Sequence, residues 1–147
     1  MALEKNEKWV IISTLLLISL FVFSILYAKS KYRADLPGCL PYDKAYTNPK
    51  VNKIDEKTYQ VFAVSQMWQF QPSEINIPAG SEVDFYLTSK DVVHGFHIYE
   101  KNVNMMAVYG GINKTTVKFD KPGVYKITCH EYCGIGHQNM ESKVIVY

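Results

Sequence analysis

The segment CHEYCGIGHQNM, Cys129 to Met140, holds two cysteines, two histidines and a methionine in twelve positions. It lies between two short runs with the composition of β-strands, VYKIT before it and KVIVY after it. The potential metal ligands follow the spacing C-x3-C-x3-H-x2-M, and Gly134 and Gly136 allow the chain to bend sharply between them. We therefore expect a tight loop at one end of a β-sheet domain, with side chains that converge on a metal.

The ligand types in this loop point to copper. Thiolate, imidazole and thioether groups are soft ligands, and methionine is a poor ligand for zinc, magnesium or calcium. A second imidazole has to come from elsewhere, and His94 lies at a predicted strand end. His97 is three residues further along and would face the opposite side of an extended strand, whereas His130 is expected to face solvent. His94 is therefore the predicted second histidine.

Three arrangements of these ligands are compatible with the sequence. A mononuclear blue-copper site needs only His94, Cys133, His137 and Met140, and it leaves Cys129 unused. A zinc site would use both cysteines and the two histidines, and it would leave the methionine unused. A dinuclear copper site uses every ligand, because the two sulfurs bridge two ions that each take one imidazole. We favour the dinuclear arrangement for that reason.

The chain around this loop has the pattern of a β-sheet domain. Residues 57–147 consist of short runs rich in valine, isoleucine, threonine and aromatic residues, separated by turn residues. In the run VDFYLTS, residues 83–89, Phe85 and Leu87 are expected on a buried face and Thr88 on a solvated one. The spacing of the runs predicts an all-β antiparallel sandwich or barrel.

The N-terminal part of the chain has a different composition. Residues 9–28, WVIISTLLLISLFVFSILYA, carry no charge, and a helix of that length crosses a hydrocarbon core of about 30 Å. A cleaved signal peptide is the alternative, but the apolar run is long for one and no small-residue cleavage site follows it. We therefore expect residues 1–28 to form a short tail and one transmembrane helix. Residues 29–56 hold three of the six prolines and no sustained periodicity, which predicts a linker.

The charge of the predicted domain excludes one class of partner. Residues 57–147 contain eight lysines, eight acidic residues and no arginine. Nucleic-acid binding requires a basic stripe, which this composition does not supply. The basic residues on the two sides of the apolar run are nearly equal in number, so they do not predict an orientation in the membrane.

The stretch DVVHGFHI, residues 91–98, the loop CHEYCGIGHQNM and the preceding helix together resemble subunit II of cytochrome c oxidases in the heme-copper superfamily, especially the B-type (ba-type) branch. The resemblance implies a cupredoxin-like Greek-key sandwich or barrel preceded by one N-terminal transmembrane helix. It also implies a dinuclear copper centre of the CuA type, in which two cysteines bridge the ions. The metal ligands it implies are His94, Cys129, Cys133, His137, Met140 and the backbone carbonyl of Glu131.

The same resemblance implies a function. Members of this family accept electrons from a cytochrome c at the copper centre and pass them to heme in subunit I. The implied partners are subunit I, a cytochrome c and membrane lipid, with a single pass through the cell membrane and the copper domain on the outer, periplasmic side. The chain carries no nucleophile and base pair of its own, so oxygen reduction would belong to subunit I. A membrane-anchored mononuclear blue-copper electron carrier is the alternative.

Aromatic residues complete the predicted site. Many members of the family carry aromatic side chains near the copper through which electrons enter, and the corresponding segment here is QMWQFQP, residues 66–72. We expect electrons to enter at Trp68, although a single tryptophan in a strand also fits ordinary packing. Together with Phe70, Phe96 and Tyr132, this residue is expected to keep water away from the metal.

Overall fold

The computed structural model describes residues 4–32, 38–40 and 46–147. Their contacts divide the chain into two units, one with a long helix and one with the strands. Helix α1, Lys5–Tyr32, contains the predicted apolar span and is long and apolar enough to cross a membrane. Each hydroxyl group within the span donates to a carbonyl oxygen one turn earlier, so its hydrogen-bond donor has a partner inside the apolar helix. These hydroxyl groups belong to Ser13, Thr14, Ser19 and Ser24.

The second unit is built from short strands joined by tight turns. The strands are β1 (Gly38–Leu40), β2 (Lys50–Lys53), β3 (Thr58–Gln66), β4 (Gln69–Gln71), β5 (Glu74–Ile77), β6 (Ser81–Ser89), β7 (His94–Ile98), β8 (Val103–Ala107), β9 (Ile112–Phe119), β10 (Gly123–Thr128) and β11 (Glu141–Val146). Two 3-10 turns interrupt them, Tyr99–Lys101 after β7 and His137–Asn139 before β11.

These strands form two sheets. One has the order β1-β9-β6-β3-β2, with β4 also paired to β3, and the other has the order β5-β11-β10-β7-β8. Most neighbours are antiparallel, but β3 pairs with β6 and β5 pairs with β11 in parallel. The parallel pairs differ from the predicted antiparallel arrangement because the chain crosses to the opposite sheet at β5 before it returns at β6 in the direction of β3.

The hydrophobic core lies between the two sheets. Phe85 of the first sheet and Phe96 of the second are almost fully buried, and their ring centroids are 5.6 Å apart. Phe70 meets Phe96 edge to face at 5.5 Å, and Phe119 meets Phe85 in the same way at 6.5 Å. Such pairs stabilise a core beyond the burial of their area, so the aromatic residues hold the sandwich together next to β7, which begins at His94.

The structure differs from the sequence-based expectation at two further places in the strands of this unit. Thr88 is buried rather than solvated, because its hydroxyl donates to the carbonyl oxygen of Gly111 at 2.7 Å. Within the segment predicted as a linker, 29–56, β2 pairs with β3 and β1 pairs with β9. Both strands lie at sheet edges, where only one neighbour supports them, so no strong alternation of apolar residues is required. The predicted boundaries at residues 28 and 56 stay predictions.

Candidate metal centre

Three of the predicted metal ligands meet in the folded domain. A ring nitrogen of His94 and the sulfur atoms of Cys129 and Cys133 lie within 4.8 Å of one another, and all three residues are buried. The two sulfur atoms are 3.8 Å apart, whereas a disulfide bond is only about 2 Å long. Both thiols are free, so the cluster offers two sulfurs and an imidazole to a metal.

The remaining predicted ligands surround the same two sulfur atoms. Sγ of Cys133 lies 3.6 Å from Nδ1 of His137 and 3.7 Å from Sδ of Met140. Sγ of Cys129 lies 3.2 Å from the backbone carbonyl oxygen of Glu131, whose side chain is exposed. The fold thus gathers all the residues that the sequence nominated as ligands, with Glu131 contributing its backbone only.

The backbone of the loop explains how these groups converge. The amide of Cys129 donates to the carbonyl oxygen of Met140 at 3.1 Å, which closes the loop between β10 and β11. Gly134 adopts a φ of 118°, a conformation that side chains other than glycine rarely take. The amide of His137 then donates to the carbonyl oxygen of Gly134 at 3.1 Å. The chain therefore turns sharply between the second cysteine and the histidine.

The first histidine ligand is oriented by a carboxylate. His94 begins β7 and is fully buried, and its Nε2 donates to Oδ1 of Asp91 at 2.7 Å. Because a carboxylate only accepts hydrogen bonds, the proton resides on Nε2 and Nδ1 keeps its lone pair. Among the described residues Nδ1 has no hydrogen-bond partner although it is buried. In a chain without metal, a ring nitrogen that serves as a metal ligand is expected to be buried and to lack a hydrogen-bond partner.

Ionisation of Asp91 supports this arrangement. Burial opposes the charged form of its carboxylate, but hydrogen bonds from His94 and from the backbone amides of Met67 and Val92 outweigh burial. They hold the pKa of Asp91 below its ordinary value. The group next to the imidazole is therefore an ionised carboxylate, not a carboxylic acid, and it accepts a hydrogen bond from Nε2–H of His94.

The two thiols fit a soft cation. Burial, together with the neighbouring Cys129 thiol, raises the pKa of Cys133 to about 11 in the metal-free chain. A coordinated cation supplies the positive charge that removes the thiol proton. Two thiols, two imidazoles and a thioether form a set of ligands that suits copper and leaves no role for a hard cation. The residues present therefore fit a copper site.

Trp68 lies directly against the ligand loop. Its indole Nε1 donates to the carbonyl oxygen of Cys133 at 3.2 Å, while its side chain is 42% exposed. A Cβ added to Gly136 would lie 2.5 Å from Cδ2 of the indole, and one added to Gly134 would lie 3.1 Å from Nε1. The loop glycines are therefore needed for close packing as well as for bending, which their sequence positions alone did not indicate.

The other predicted aromatic residues do not all exclude water. Phe70 and Phe96 are buried in the core as expected. Tyr132, by contrast, is 75% exposed and the next apolar residue of the loop, Ile135, is 85% exposed. The prediction for Tyr132 is wrong because its side chain points outward from the loop, although its ring still lies 5.8 Å from that of His137.

The two histidines that the sequence analysis rejected lie outside the cluster. The rings of His97 and His130 stack on each other with centroids 5.8 Å apart, and His130 is exposed. Nε2 of His130 is hydrogen-bonded to Oδ1 of Asn104. The His130 ring also covers Gly95, where any Cβ would overlap it. Sequence reasoning missed this role of Gly95, since only pairing of the two segments in the fold brings them together.

Fold and site together define a class of protein. The domain is a two-sheet β-sandwich of the cupredoxin-like type, with a buried cluster of soft ligands formed by His94 and the loop between its last two strands. The chain also has one helix that is long and apolar enough to span a membrane. These features describe a cupredoxin-like metal-binding protein with a candidate N-terminal anchor.

Comparison with known proteins identifies the family. The family described as cytochrome c oxidase subunit II, periplasmic domain, matches residues 45–146. The chain belongs to this family. The match confirms the resemblance stated from the sequence, and it begins inside the segment predicted as a linker.

Individual relatives agree with the family. Cytochrome c oxidase subunit 2 from Thermus thermophilus is 40% identical over 88 residues, which cover 60% of this chain. The match spans 65% of that relative and 52% of a second subunit 2 from the same organism, so the chain covers less than two thirds of either.

Solved structures give the same result. A chain in the cryo-EM structure of a heme-copper terminal oxidase dimer is 40% identical, with a TM-score of 0.79 over 97% of this chain and 100% of that chain. The periplasmic domain of subunit II (CoxB) from Bradyrhizobium japonicum is 23% identical, with a TM-score of 0.56 over 60% of this chain and 83% of that chain. The latter likeness concerns the fold alone, and it confirms the predicted cupredoxin-like class.

Proposed function

We propose that this chain is the electron-accepting subunit of a terminal cytochrome c oxidase and that it holds a dinuclear copper centre of the CuA type. The ligands would be the six groups already described, with Cys129 and Cys133 supplying the thiolates. Bound there, the copper pair supplies one-electron redox chemistry between a cytochrome c and the heme of subunit I. The family membership and the buried cluster of soft ligands support this proposal.

The position of the second sulfur atom is the observation that carries the proposal. A mononuclear blue-copper site uses one thiolate and would leave Cys129 idle. Sγ of Cys129 instead lies 3.8 Å from Sγ of Cys133 and 3.2 Å from the carbonyl oxygen of Glu131. The second thiol thus belongs to the same cluster and has a neighbouring oxygen ligand of its own. The mononuclear electron carrier is the second candidate and is less favoured for this reason.

The surrounding residues suit electron transfer in a further way. His94, Cys129, Cys133 and Met140 are buried, and three of these groups lie on a loop closed by backbone hydrogen bonds. A ligand set held by a rigid sandwich moves little when the charge of the site changes, which lowers the cost of adding or removing an electron. The chain itself positions the site and excludes water, and oxygen reduction would take place in subunit I.

The assembly and location are part of the same proposal. The solved structure with 40% identity is a chain of a heme-copper terminal oxidase dimer, which supports a complex with subunit I. Helix α1 would cross the cell membrane once and contact its lipid, and the copper domain would lie on the outer, periplasmic side, as the family description supports. A cytochrome c would then reach the domain from that side.

Copper reconstitution of the full-length chain in detergent tests the proposal. We expect two copper ions per chain and an electron paramagnetic resonance spectrum in which one unpaired electron is shared equally by two copper nuclei. A spectrum from one copper nucleus with one ion per chain would contradict the dinuclear centre and establish the blue-copper carrier instead. Zinc bound in preference to copper, with no such spectrum, would reject both copper functions.

Trp68 is the proposed point at which electrons enter. Its indole is 42% exposed on one side and hydrogen-bonded to the carbonyl oxygen of Cys133 on the other, so it links the surface to a ligand residue. Met67 and Ile135 beside it are also exposed and apolar. A donor would therefore meet an apolar surface here. Because residues 57–147 carry equal numbers of lysines and acidic residues, we expect little electrostatic steering of that donor.

Replacement of this tryptophan gives a kinetic prediction. In the assembled oxidase, Trp68→Phe is expected to slow reduction of the copper centre by cytochrome c several-fold, while the spectrum of the centre stays that of the wild type. Trp9→Phe in the helix is the matched control and should leave the rate unchanged. Equal rates in stopped-flow measurements of wild type and Trp68→Phe would mean that electrons enter elsewhere.

A further inference from the structure

Asp91 is not one of the predicted ligands, but both of its carboxylate oxygens accept hydrogen bonds next to the candidate metal centre. It lies in the turn between β6 and β7, three residues before His94, and its side chain is 25% exposed. Oδ1 accepts hydrogen bonds from Nε2 of His94 and from the amide of Val92, each at 2.7 Å. Oδ2 accepts a hydrogen bond from the amide of Met67, also at 2.7 Å. The two oxygens therefore serve two different parts of the chain.

The contact with Met67 reaches the segment that carries the tryptophan. Met67 and Trp68 form the turn between β3 and β4, and the Trp68 indole packs on Gly136 and donates to the carbonyl oxygen of Cys133. A continuous chain of contacts thus runs from the His94 imidazole through the Asp91 carboxylate and the Met67 amide to the indole. It ends at the backbone of the ligand loop, at the carbonyl oxygen of Cys133.

We propose that Asp91 is a positioning residue that fixes the His94 imidazole and the Trp68 indole in one arrangement. This inference rests on the proposed function, in which His94 is a copper ligand and Trp68 receives the electron. Through Oδ1 the carboxylate selects the tautomer with a free Nδ1 and sets the direction of the ring. Through Oδ2 it anchors the turn, so that the indole stays against the carbonyl oxygen of Cys133. The Asp91 side chain thereby holds the Trp68 indole in a fixed position relative to the metal site.

The local alternative is that Asp91 only stabilises its own turn. Its bond to the Val92 amide, with a further contact from the hydroxyl of Ser89 at 3.3 Å, would be sufficient for that purpose. The alternative does not require the contacts to His94 and Met67. The hydrogen bond to Met67 joins residues 24 positions apart in the sequence, so it is not part of the local turn. The two roles therefore predict different behaviour of the copper site and of the indole when Asp91 is changed.

Two variants separate the functions of the two oxygens. Asp91→Ala removes both acceptors, so we expect the affinity for copper to fall about 10- to 100-fold, as is usual when the partner of a ligand histidine is lost. The Trp68 indole should also become more accessible. Asp91→Asn keeps one acceptor oxygen, and the orientation that serves both His94 and Val92 is favoured over the one that serves Met67 alone. Its copper affinity should stay close to that of the wild type, while the indole is released.

The measurements use the full-length chain in detergent with Trp9→Phe, so that Trp68 is the only tryptophan. Quenching of its fluorescence by iodide in the metal-free chain reports the position of the indole. Competition with a copper chelator, the absorption spectrum and the midpoint potential report the centre. The matched control is Asp84→Asn, since Asp84 is 22% exposed and accepts bonds from Thr116 and Lys114 of β9, the strand that pairs with β6. It should resemble the wild type in every measurement.

The outcomes are distinct. Increased quenching in both Asp91 variants, with weaker copper binding and a shifted potential in Asp91→Ala, supports the proposal. Unchanged quenching and copper affinity in Asp91→Ala, or equal changes in Asp84→Asn, would overturn it. If Asp91→Ala does not fold, unchanged quenching in Asp91→Asn overturns it in the same way. A wild-type chain without a signal from two coupled copper ions would instead reject the proposed function, and quenching of the metal-free variants would still decide whether Asp91 holds the indole.

Discussion

Cys133→Ser is expected to abolish the dinuclear copper centre. Its sulfur lies within 3.8 Å of the Cys129 sulfur, of Nδ1 of His137 and of Sδ of Met140, so it is the common neighbour of three other ligands. A serine hydroxyl is a hard ligand that does not replace a thiolate for copper. We expect the affinity for copper to fall by more than about 100-fold, because loss of a partner of a ligand histidine already costs about 10- to 100-fold.

Copper content and electron paramagnetic resonance of the reconstituted full-length chain provide the measurement. The signal of an electron shared by two copper nuclei should disappear, and no more than one copper ion should remain per chain. Cys39→Ser is the matched control, since it removes a thiol from β1, and it should retain the wild-type signal. Survival of the shared signal in Cys133→Ser would show that this sulfur does not bridge the ions and would contradict the ligand set.

Phe96→Ala is expected to have the largest effect on stability. Phe96 is 1% exposed and packs against Phe70 and Phe85 at the centre of the sandwich. Replacement of a buried phenylalanine by alanine costs about 3 to 5 kcal/mol, since burial is lost and a cavity remains. A typical domain has a free energy of unfolding of only about 5 to 15 kcal/mol, so the variant should unfold at a much lower urea concentration.

The same substitution should weaken copper binding. Phe96 lies two positions after His94 on β7, and both side chains are buried on the inner face of that strand. A cavity at Phe96 therefore loosens the strand that positions the imidazole. Urea unfolding of the metal-free chain measures stability, and Tyr99→Ala is the control, because Tyr99 is 81% exposed and should change the free energy of unfolding by no more than about 0.5 kcal/mol. Equal losses in both variants would contradict the packing argument.

Much of the fold follows from local patterns. Short β-rich runs predicted the sandwich, and the uncharged run from Trp9 to Ala28 predicted the helix that the structure extends over Lys5–Tyr32. Edge strands were harder to predict, since β2 is supported by one neighbour and its sequence, KVNK, is largely exposed. The burial of Thr88 was also missed, because its covering residues come from a turn that is distant in sequence.

The candidate site, like the fold, was predicted from the sequence only in part. Cys129, Cys133, His137 and Met140 were nominated from their spacing, and His94 from its position at a strand end and from soft-ligand chemistry. The structure places all of them around the two sulfurs. The hydrogen bond from Met67 to Asp91, and the packing of Trp68 on Gly136, could not be predicted in this way. Neither pairing follows any periodicity in the sequence.

The sequence by itself nominated the candidate ligands and placed five of the six on one loop, because these five lie within twelve positions and a short loop cannot carry its side chains far apart. Only the tertiary structure decided which other distant residues support the site. The bond from Trp68 to Cys133 joins residues 65 positions apart, and it exists because the two sheets place the β3–β4 turn beside the β10–β11 loop. Long-range strand pairing sets such contacts, and their geometry is not contained in the spacing of either segment.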